Sequence, residues 1–484
     1  MRGPFLFFSL WPPGKAIVGW PIPFLPNLEG PVAETKGSKV VSDGFSGPLT
    51  RKQKGRIAAW TSYDWANSAF TTIVVTFVYA TFFAEVIVPD TPGGMPGATV
   101  WGYAVSTSAV LVALLSPIVG AMADRGGRRR FFLFVSTVVC VLFTFLLGLV
   151  TPSSANAVLL AFSLFVVANS AFDIGGVFYN SFLPVVSPPE KMGRISGIGW
   201  GIGYIAGLIS MALGLVLFVG LPDVFQPLIS LPTEDGLHIR ATLFLVAGWF
   251  AVFSIPMFLF VKDEGPTRKG VRVGEAIAEL RSTFREVRRY KETAKFLLAR
   301  LIYNDGLVTI FTMSSVYLGS VFGMETGEIM VIGLSINLLA GLSAFAFGFI
   351  DDRIGGKNTV LISVAALCVA VTVGAVAPNK FWFWVAAVLI GLFVGPNQAA
   401  SRSLMSRFVP DHQQAEFFGF FSFSGKATSF LGPFLFALLT DLFDGVFAFP
   451  SERIGISVLI VMFILGGLIL RTVDEAEGIR AADE

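Results

Sequence analysis

The sequence predicts an all-α polytopic membrane protein, with twelve transmembrane helices in two pseudo-symmetric six-helix halves. Three observations lead there. Of the 484 residues, 54% are hydrophobic and only 14% are charged, against roughly a quarter charged in a typical soluble domain. Twelve runs reach the roughly 20 apolar residues needed to cross hydrocarbon. A motif in the first half of the chain returns in the second.

The predicted spans lie at 58–84, 101–123, 131–151, 155–178, 197–220, 239–261, 295–319, 328–350, 358–377, 381–402, 416–440 and 453–471. The stretches 101–123, 195–222, 329–350 and 358–379 carry no charge. Residues 131–172 are also uncharged, and Thr-Pro-Ser-Ser at 151–154 divides them into two spans. Helices are expected because every backbone polar group inside lipid needs an internal partner. A transmembrane barrel would alternate apolar and polar residues over short strands, and these runs are too long and too uniform for that.

Loop charge sets the expected orientation. Arg125, Arg128, Arg129 and Arg130 follow span 2, Lys191 and Arg194 follow span 4, and Arg353 and Lys357 follow span 8. The loop after span 6 is rich in arginine, whereas the alternate loops offer only Arg240, Lys380 and Arg453. Both termini and the central loop are therefore expected in the cytoplasm. The membrane would be the plasma (inner) membrane if the source is prokaryotic.

The expected organisation has five parts. Residues 1–55 form a disordered, proline-broken extension, and 56–262 the first six-helix half. Residues 263–294 form a cytoplasmic linker, in which Val273, Ile277, Leu280, Phe284 and Val287 recur at helical spacing and predict an amphipathic helix. The second half is 295–472, and 473–484 form a cytoplasmic tail.

The repeat pairs Gly120-Ala-Met-Ala-Asp124-Arg125-Gly-Gly127-Arg-Arg129 with Gly348-Phe-Ile-Asp-Asp352-Arg353-Ile-Gly355-Gly-Lys357. The same register relates Asn169 to Asn397 and Cys140 to Cys368. A slightly shorter register relates Pro188, Gly197 and Gly203 to Pro410, Gly419 and Gly425. A parallel repeat of six-helix units explains these matches.

Several function classes are excluded. The net charge of +2 is too small for a strongly basic nucleic-acid binder, and no nucleic-acid partner is expected. Two cysteines and two histidines, all far apart, give no metal or disulfide pattern. His238 and His412 are read as loop residues and the cysteines as packing residues. No phosphate-binding Gly-x-x-x-x-Gly-Lys sequence occurs. No cofactor and no enzymatic activity are expected.

Twelve spans, the repeat and the basic loop motif together resemble the major facilitator superfamily. Tyr63-Asp-Trp-Ala-Asn-Ser-Ala-Phe70 is similar to the signature of its vacuole-effluxer-like branch, related to autophagy-linked vacuolar amino-acid effluxers. Phe178-Tyr-Asn-Ser-Phe-Leu-Pro184, Gly193-Arg-Ile-Ser-Gly197, Arg300-Leu-Ile-Tyr-Asn-Asp305 and Gly395-Pro-Asn-Gln-Ala-Ala-Ser-Arg402 are similar to the same branch. The resemblance spans about 56–472. The second loop copy departs from the pattern, with Gly356 where the first has Arg128. The resemblance implies secondary transport by alternating access, with amino-acid efflux as the branch's activity.

Charge inside lipid is costly and invites a functional reading. Asp64, Asn67, Asn169, Asp173, Tyr303, Asn304, Asp305, Asn397, Gln398 and Lys426 are the candidate cavity residues for substrate or proton. A buried aspartate among them is expected to load and release protons near neutral pH, and Lys426 to attract a carboxylate. The alternative is that these groups pair with one another to lock or gate the bundle. Asp124, Arg125, Arg129, Asp352 and Arg353 are the candidate cytoplasmic gate, or simply mark the cytoplasmic side. Arg300 and Arg402 are read as interfacial, with their charged heads reaching toward water. Gly199, Gly203 and Gly207 are expected to pack the halves closely. Trp60, Trp65 and Trp200 are expected to line a cavity, to anchor at the interface or to pack in the bundle, and Pro117, Pro184 and Pro396 to kink or end helices.

The expected function is ion-coupled secondary transport of a small polar solute. The expected partners are the lipid bilayer, the solute, and protons or another coupling ion, with the chain a monomer. The competing class is a non-transporting receptor or scaffold that keeps the carrier fold. A lipid-processing membrane enzyme lacks a local His or Cys nucleophile cluster.

Overall fold

The computed structural model describes residues 49–88, 95–220, 225–263, 274, 290–324 and 326–483. Residues 49–484 form one compact unit. Most of the expected N-terminal extension and the amphipathic linker helix lie outside the described residues.

Helix α1 is Arg51–Ala69, opened by a capping box. Gln53 donates its backbone N–H to the Thr50 hydroxyl (3.3 Å), and Thr50 donates its own to the Gln53 side chain (2.8 Å). The reciprocal bonds satisfy donors that a helix start leaves open. The first helix therefore begins before residue 56. Beyond Ala69 the span continues in wider turns, Phe70–Phe77 and Phe83–Ile87, around a short helix Tyr79–Phe82. The hydroxyl of Thr76 reaches back five residues to the Thr71 carbonyl (2.9 Å).

The spans that follow are α2 Gly97–Gly126, α3 Arg129–Leu149, α4 Ala157–Ser181, α5 Met192–Gly214 and α6 Leu237–Phe260. After them come α7 Lys291–Phe322, α8 Thr326–Ile354, α9 Gly356–Val376 and α10 Lys380–Arg407. Gly127, at φ 58°, closes α2 in a left-handed conformation that suits glycine. Pro117 and Pro396 lie inside α2 and α10, and Pro184 opens a short turn beyond the end of α4.

The eleventh span differs from expectation. It is broken into α11, Gln414–Lys426, and α12, Leu431–Leu442. Pro433 explains the break. It has no N–H for the carbonyl four residues back, and its ring crowds that carbonyl, but it is tolerated in the first turn of a new helix. Helix α13, Ser457–Arg471, completes the bundle, and α14, Glu475–Asp483, packs at its end. Among the described residues, eleven helices are long and apolar enough to cross a membrane; the broken span is the twelfth.

The buried apolar side chains form two main clusters. One draws on α1–α6, with Trp60, Phe70, Phe165 and Phe250, and the other on α7–α13, with Phe296, Tyr303, Leu367 and Phe463. Large apolar side chains such as Leu114, Leu159, Phe260 and Val376 are exposed. So much exposed apolar surface fits lipid as the surrounding solvent.

Small residues set the seam between the halves. A Cβ on Gly197 would stand 2.9 Å from the Gly348 Cα, and one on Gly201 would stand 2.9 Å from the Gly341 carbonyl oxygen. Helices α5 and α8 touch through this row. Of the expected row, Gly199 does reach the other half, where a Cβ would stand 2.8 Å from the Arg402 guanidinium, whereas the other two glycines face their own half. Gly203 meets Ser68 on α1, and Gly207 meets Thr72 in the wider-turn segment that continues it, both in the same half. One helix carries two adjacent glycine rows, and the spacing does not say which faces the partner. On the other side of the seam, α2 and α11 approach just as closely: a Cβ on Gly419 would stand 2.6 Å from the Ser116 carbonyl oxygen.

Candidate functional site

The two basic-loop motifs act across the seam in reciprocal fashion. Asp124, at the end of α2, accepts the backbone N–H of Glu416 at the start of α11 (2.8 Å). Asp352, at the end of α8, accepts the backbone N–H of Arg194 at the start of α5 (3.0 Å) and lies 3.3 Å from its guanidinium. Each half thus caps a helix of the other. A carboxylate suits this position because a helix start leaves N–H groups open and carries partial positive charge.

The motifs differ in their supporting residues. Arg129 lies 3.7 Å from Asp124 and donates to the Ser181 carbonyl (3.3 Å) and to the Gln414 side chain. Arg125 is half-buried, and Arg353 is exposed. In the second copy Asp351, beside Asp352, takes over part of the network. It pairs with Arg407 (3.0 Å) and accepts from Ser403. Arg407 also pairs with Glu475 of α14 (3.1 Å), which accepts the backbone N–H groups of Gly356 and Lys357. Sequence reasoning missed Asp351, Arg407 and Glu475. A second acid beside Asp352 was the available signal. Outside the spans, burial pushes the Asp263 carboxyl above its ordinary range, and the Arg130 N–H pulls it partly back.

Deeper in the bundle, Arg402 of α10 enters the first half. Its guanidinium lies 3.1 Å from Asp64 and donates to the Ser196 hydroxyl (2.9 Å) and carbonyl (2.7 Å). It stands over the rings of Trp60 (4.9 Å), Trp200 (5.5 Å) and Tyr179 (5.8 Å). Arg402 is therefore no interfacial residue, contrary to the expectation. Its bidentate pattern and ring contacts suit a guanidinium withdrawn from water. Trp60 and Trp200 belong to this cage, while Trp65 stacks on Trp249 (5.6 Å).

Asp173 of α4 and Lys426 of α11 also meet across the seam, at 3.0 Å. Their side chains keep 15% and 34% of their exposure, so this pair is the more open of the two central ones. The Asp173 Oδ2 atom makes no hydrogen bond.

The remaining candidates separate. Asn304 and Asp305 serve the break in the eleventh span: Asn304 donates to the Gly425 carbonyl (3.0 Å), and Asp305 accepts the Gly432 N–H (3.2 Å). Arg300 joins them, donating to the Phe421 carbonyl (2.7 Å) and Ser424 (3.0 Å). It is buried, so its expected interfacial position is also corrected. Tyr303 and Asn169 do not line an open space. Tyr303 is fully buried against Ser401 (2.8 Å), as Tyr63 is against Thr137 (2.7 Å) in the other half. Asn169 is buried and donates to Ser108 (2.6 Å). Its repeat mate Asn397 is buried with neither amide atom hydrogen-bonded. The residue in register with Ser108 is Ile336, so the second half lacks the hydroxyl that serves Asn169. Asn67 and Gln398 are half-buried.

Comparisons with known proteins bear on the family and the fold. Residues 97–483 match the family model described as "Vacuole effluxer Atg22 like". An uncharacterized MFS-type transporter of Bacillus subtilis, YxiO, is 29% identical over 86% of this chain and 94% of its own. Autophagy-related protein 22 of Coccidioides immitis is 22% identical over 79% and 73%. Among solved structures, the major facilitator superfamily proton:xylose symporter XylE superposes with a TM-score of 0.66 at 10% identity. The match covers 88% of this chain and 97% of that one. The last likeness speaks to the fold.

Proposed function

This chain belongs to the Atg22-like vacuole effluxer family, and from that premise we propose that it exports a small zwitterionic solute, an amino acid, by alternating access. The observation that carries the reading is the Asp173–Lys426 pair. It places opposite charges from opposite halves 3.0 Å apart and leaves them partly accessible. An α-ammonium on Asp173 and an α-carboxylate on Lys426 replace each lost partner with one of like charge. A ligand carrying only one of the two charges leaves the other member partly desolvated without a partner, so it is disfavoured.

The reciprocal caps and the Arg402 cage support the conformational half of the proposal. They are discrete joints across the seam at the basic-loop end, and each can be made or broken as one half rocks on the other. In this reading Asp64 serves a gate, together with Asp124, Arg129 and Asp352. The proposed setting is a cell membrane with both termini cytoplasmic, the chain a monomer, and an ion gradient the source of energy.

Counterflow of radiolabelled amino acids in proteoliposomes tests the proposal. Wild type is expected to exchange a zwitterionic amino acid, and Asp173→Asn and Lys426→Gln to lose that exchange. Lack of exchange across a broad solute panel favours the receptor or scaffold class.

A further inference from the structure

We propose that Asp305 is the proton-carrying group of this carrier, coupled to the solute pair through the break in the eleventh span. The proposal rests on the carrier reading above and adds the coupling ion and its site.

Three observations converge on Asp305. It is 2% exposed. Its Oδ1 atom is buried without a hydrogen-bond partner among the described residues. Its Oδ2 atom accepts the Gly432 N–H (3.2 Å) in the first turn of α12. An ionised carboxylate with an orphaned oxygen inside hydrocarbon is costly. A proton on Oδ1 removes the charge and leaves only the smaller cost of an unpaired hydroxyl. The bonded neighbour of the carboxyl is a donor, Gly432, and not an oxygen ligand. That favours a proton over a metal cation, which takes a shell of oxygens.

The surrounding charges are engaged elsewhere. Arg300, on the same helix, is held by Phe421 and Ser424. On α11, Lys426 is held by Asp173, and on α10, Arg402 by Asp64. Arg453, in the short helix Glu452–Gly455, donates to the Ala375 and Ala377 carbonyls. Asp441 and Arg471 lie near the C-terminal ends of α12 and α13.

The coupling follows from what the carboxylate does. When ionised, it faces the positive end of α12 and holds that half-helix against α7. A proton taken up on Oδ1 removes the charge and loosens the joint. Helix α11 ends at Lys426, separated from α12 by residues 427–430. A change in the joint therefore reaches the residue that crosses to Asp173. The proton enters from the side of higher proton activity and leaves to the other as the solute moves the opposite way.

Asp305→Asn tests this. It keeps an oxygen for the Gly432 N–H and cannot titrate. In proteoliposomes, wild type is expected to accumulate the exchanged amino acid against its gradient when driven by a pH difference. Asp305→Asn should lose that accumulation, and any residual counterflow should no longer vary with pH. Accumulation driven by the pH difference that survives in Asp305→Asn overturns the proposal. Infrared spectroscopy of purified protein near neutral pH gives a substrate-free check. A protonated-carboxyl band should appear in wild type and in Asp173→Asn and be lost in Asp305→Asn. A band unchanged by Asp305→Asn, or missing from wild type, also overturns it. If wild type exchanges no amino acid, the carrier reading fails while the infrared result still decides the proton site.

Discussion

Arg402 of the second half lies 3.1 Å from Asp64 of the first, and its guanidinium is enclosed by the rings of Trp60, Trp200 and Tyr179. The two residues are far apart in sequence and belong to opposite halves. Separation of α10 from α1 must break the pair and withdraw the guanidinium from its cage.

Arg402→Lys keeps the charge and removes the planar fork. Lost hydrogen bonds to a charged group cost about 1.5–3 kcal/mol, roughly ten- to a hundredfold in a population ratio. The basic-loop end should then open more often. A single cysteine placed at Ala415, which is buried at the same end of the seam and away from Arg402, in a background lacking Cys140 and Cys368, should react faster with a membrane-impermeant thiol reagent. Equal rates in both backgrounds would show that the pair is not a latch.

Asp124 and Asp352 cap opposite halves, the one through Glu416 and the other through Arg194. Asp124→Asn and Asp352→Asn should each weaken closure at the basic-loop end by about 0.3–1 kcal/mol, the scale of a carboxylate at a helix start. Effects at separate joints add, so the double variant should show their sum. Cysteine labelling from each side of the membrane measures this. Both variants should still insert, and labelling identical to wild type counts against a gate.

Asn397 and Asn169 occupy equivalent positions but should respond oppositely to leucine. An unsatisfied buried amide costs about 1–3 kcal/mol. Asn397→Leu should therefore raise the melting temperature in detergent. Asn169→Leu removes the bond to Ser108, whose hydroxyl keeps only the Val105 carbonyl (2.8 Å), and should lower it. A fall in both melting temperatures refutes the asymmetry.

The repeat shows how far spacing reaches. It aligned Asp124 with Asp352 and placed both at the same end of the bundle. It did not say that each binds a helix start in the other half, because a hydrogen bond across the seam leaves no local pattern. Glycines at every fourth position of α5 announced close packing, yet two rows qualified, and only the neighbours separate α1 from α8. Arg300 and Arg402 were misread for a similar reason. Near a span end, an arginine reaching water and one buried among carbonyls look alike in sequence. Pro433, like the second acid beside Asp352, was an overlooked local signal: a residue without an N–H, just past Gly432, marks where the eleventh span breaks.

Composition and periodicity determined the solvent, the number of spans and the pairing of the halves. These follow from apolar length and from residue order, which one strand of text contains in full. Tertiary structure decided which charges meet: Asp173 with Lys426, Asp64 with Arg402, and Asp305 with the start of α12. Each contact joins helices more than a hundred residues apart. Electrostatic and hydrogen-bond energies depend on distances of a few ångströms, and only the packed bundle sets those distances.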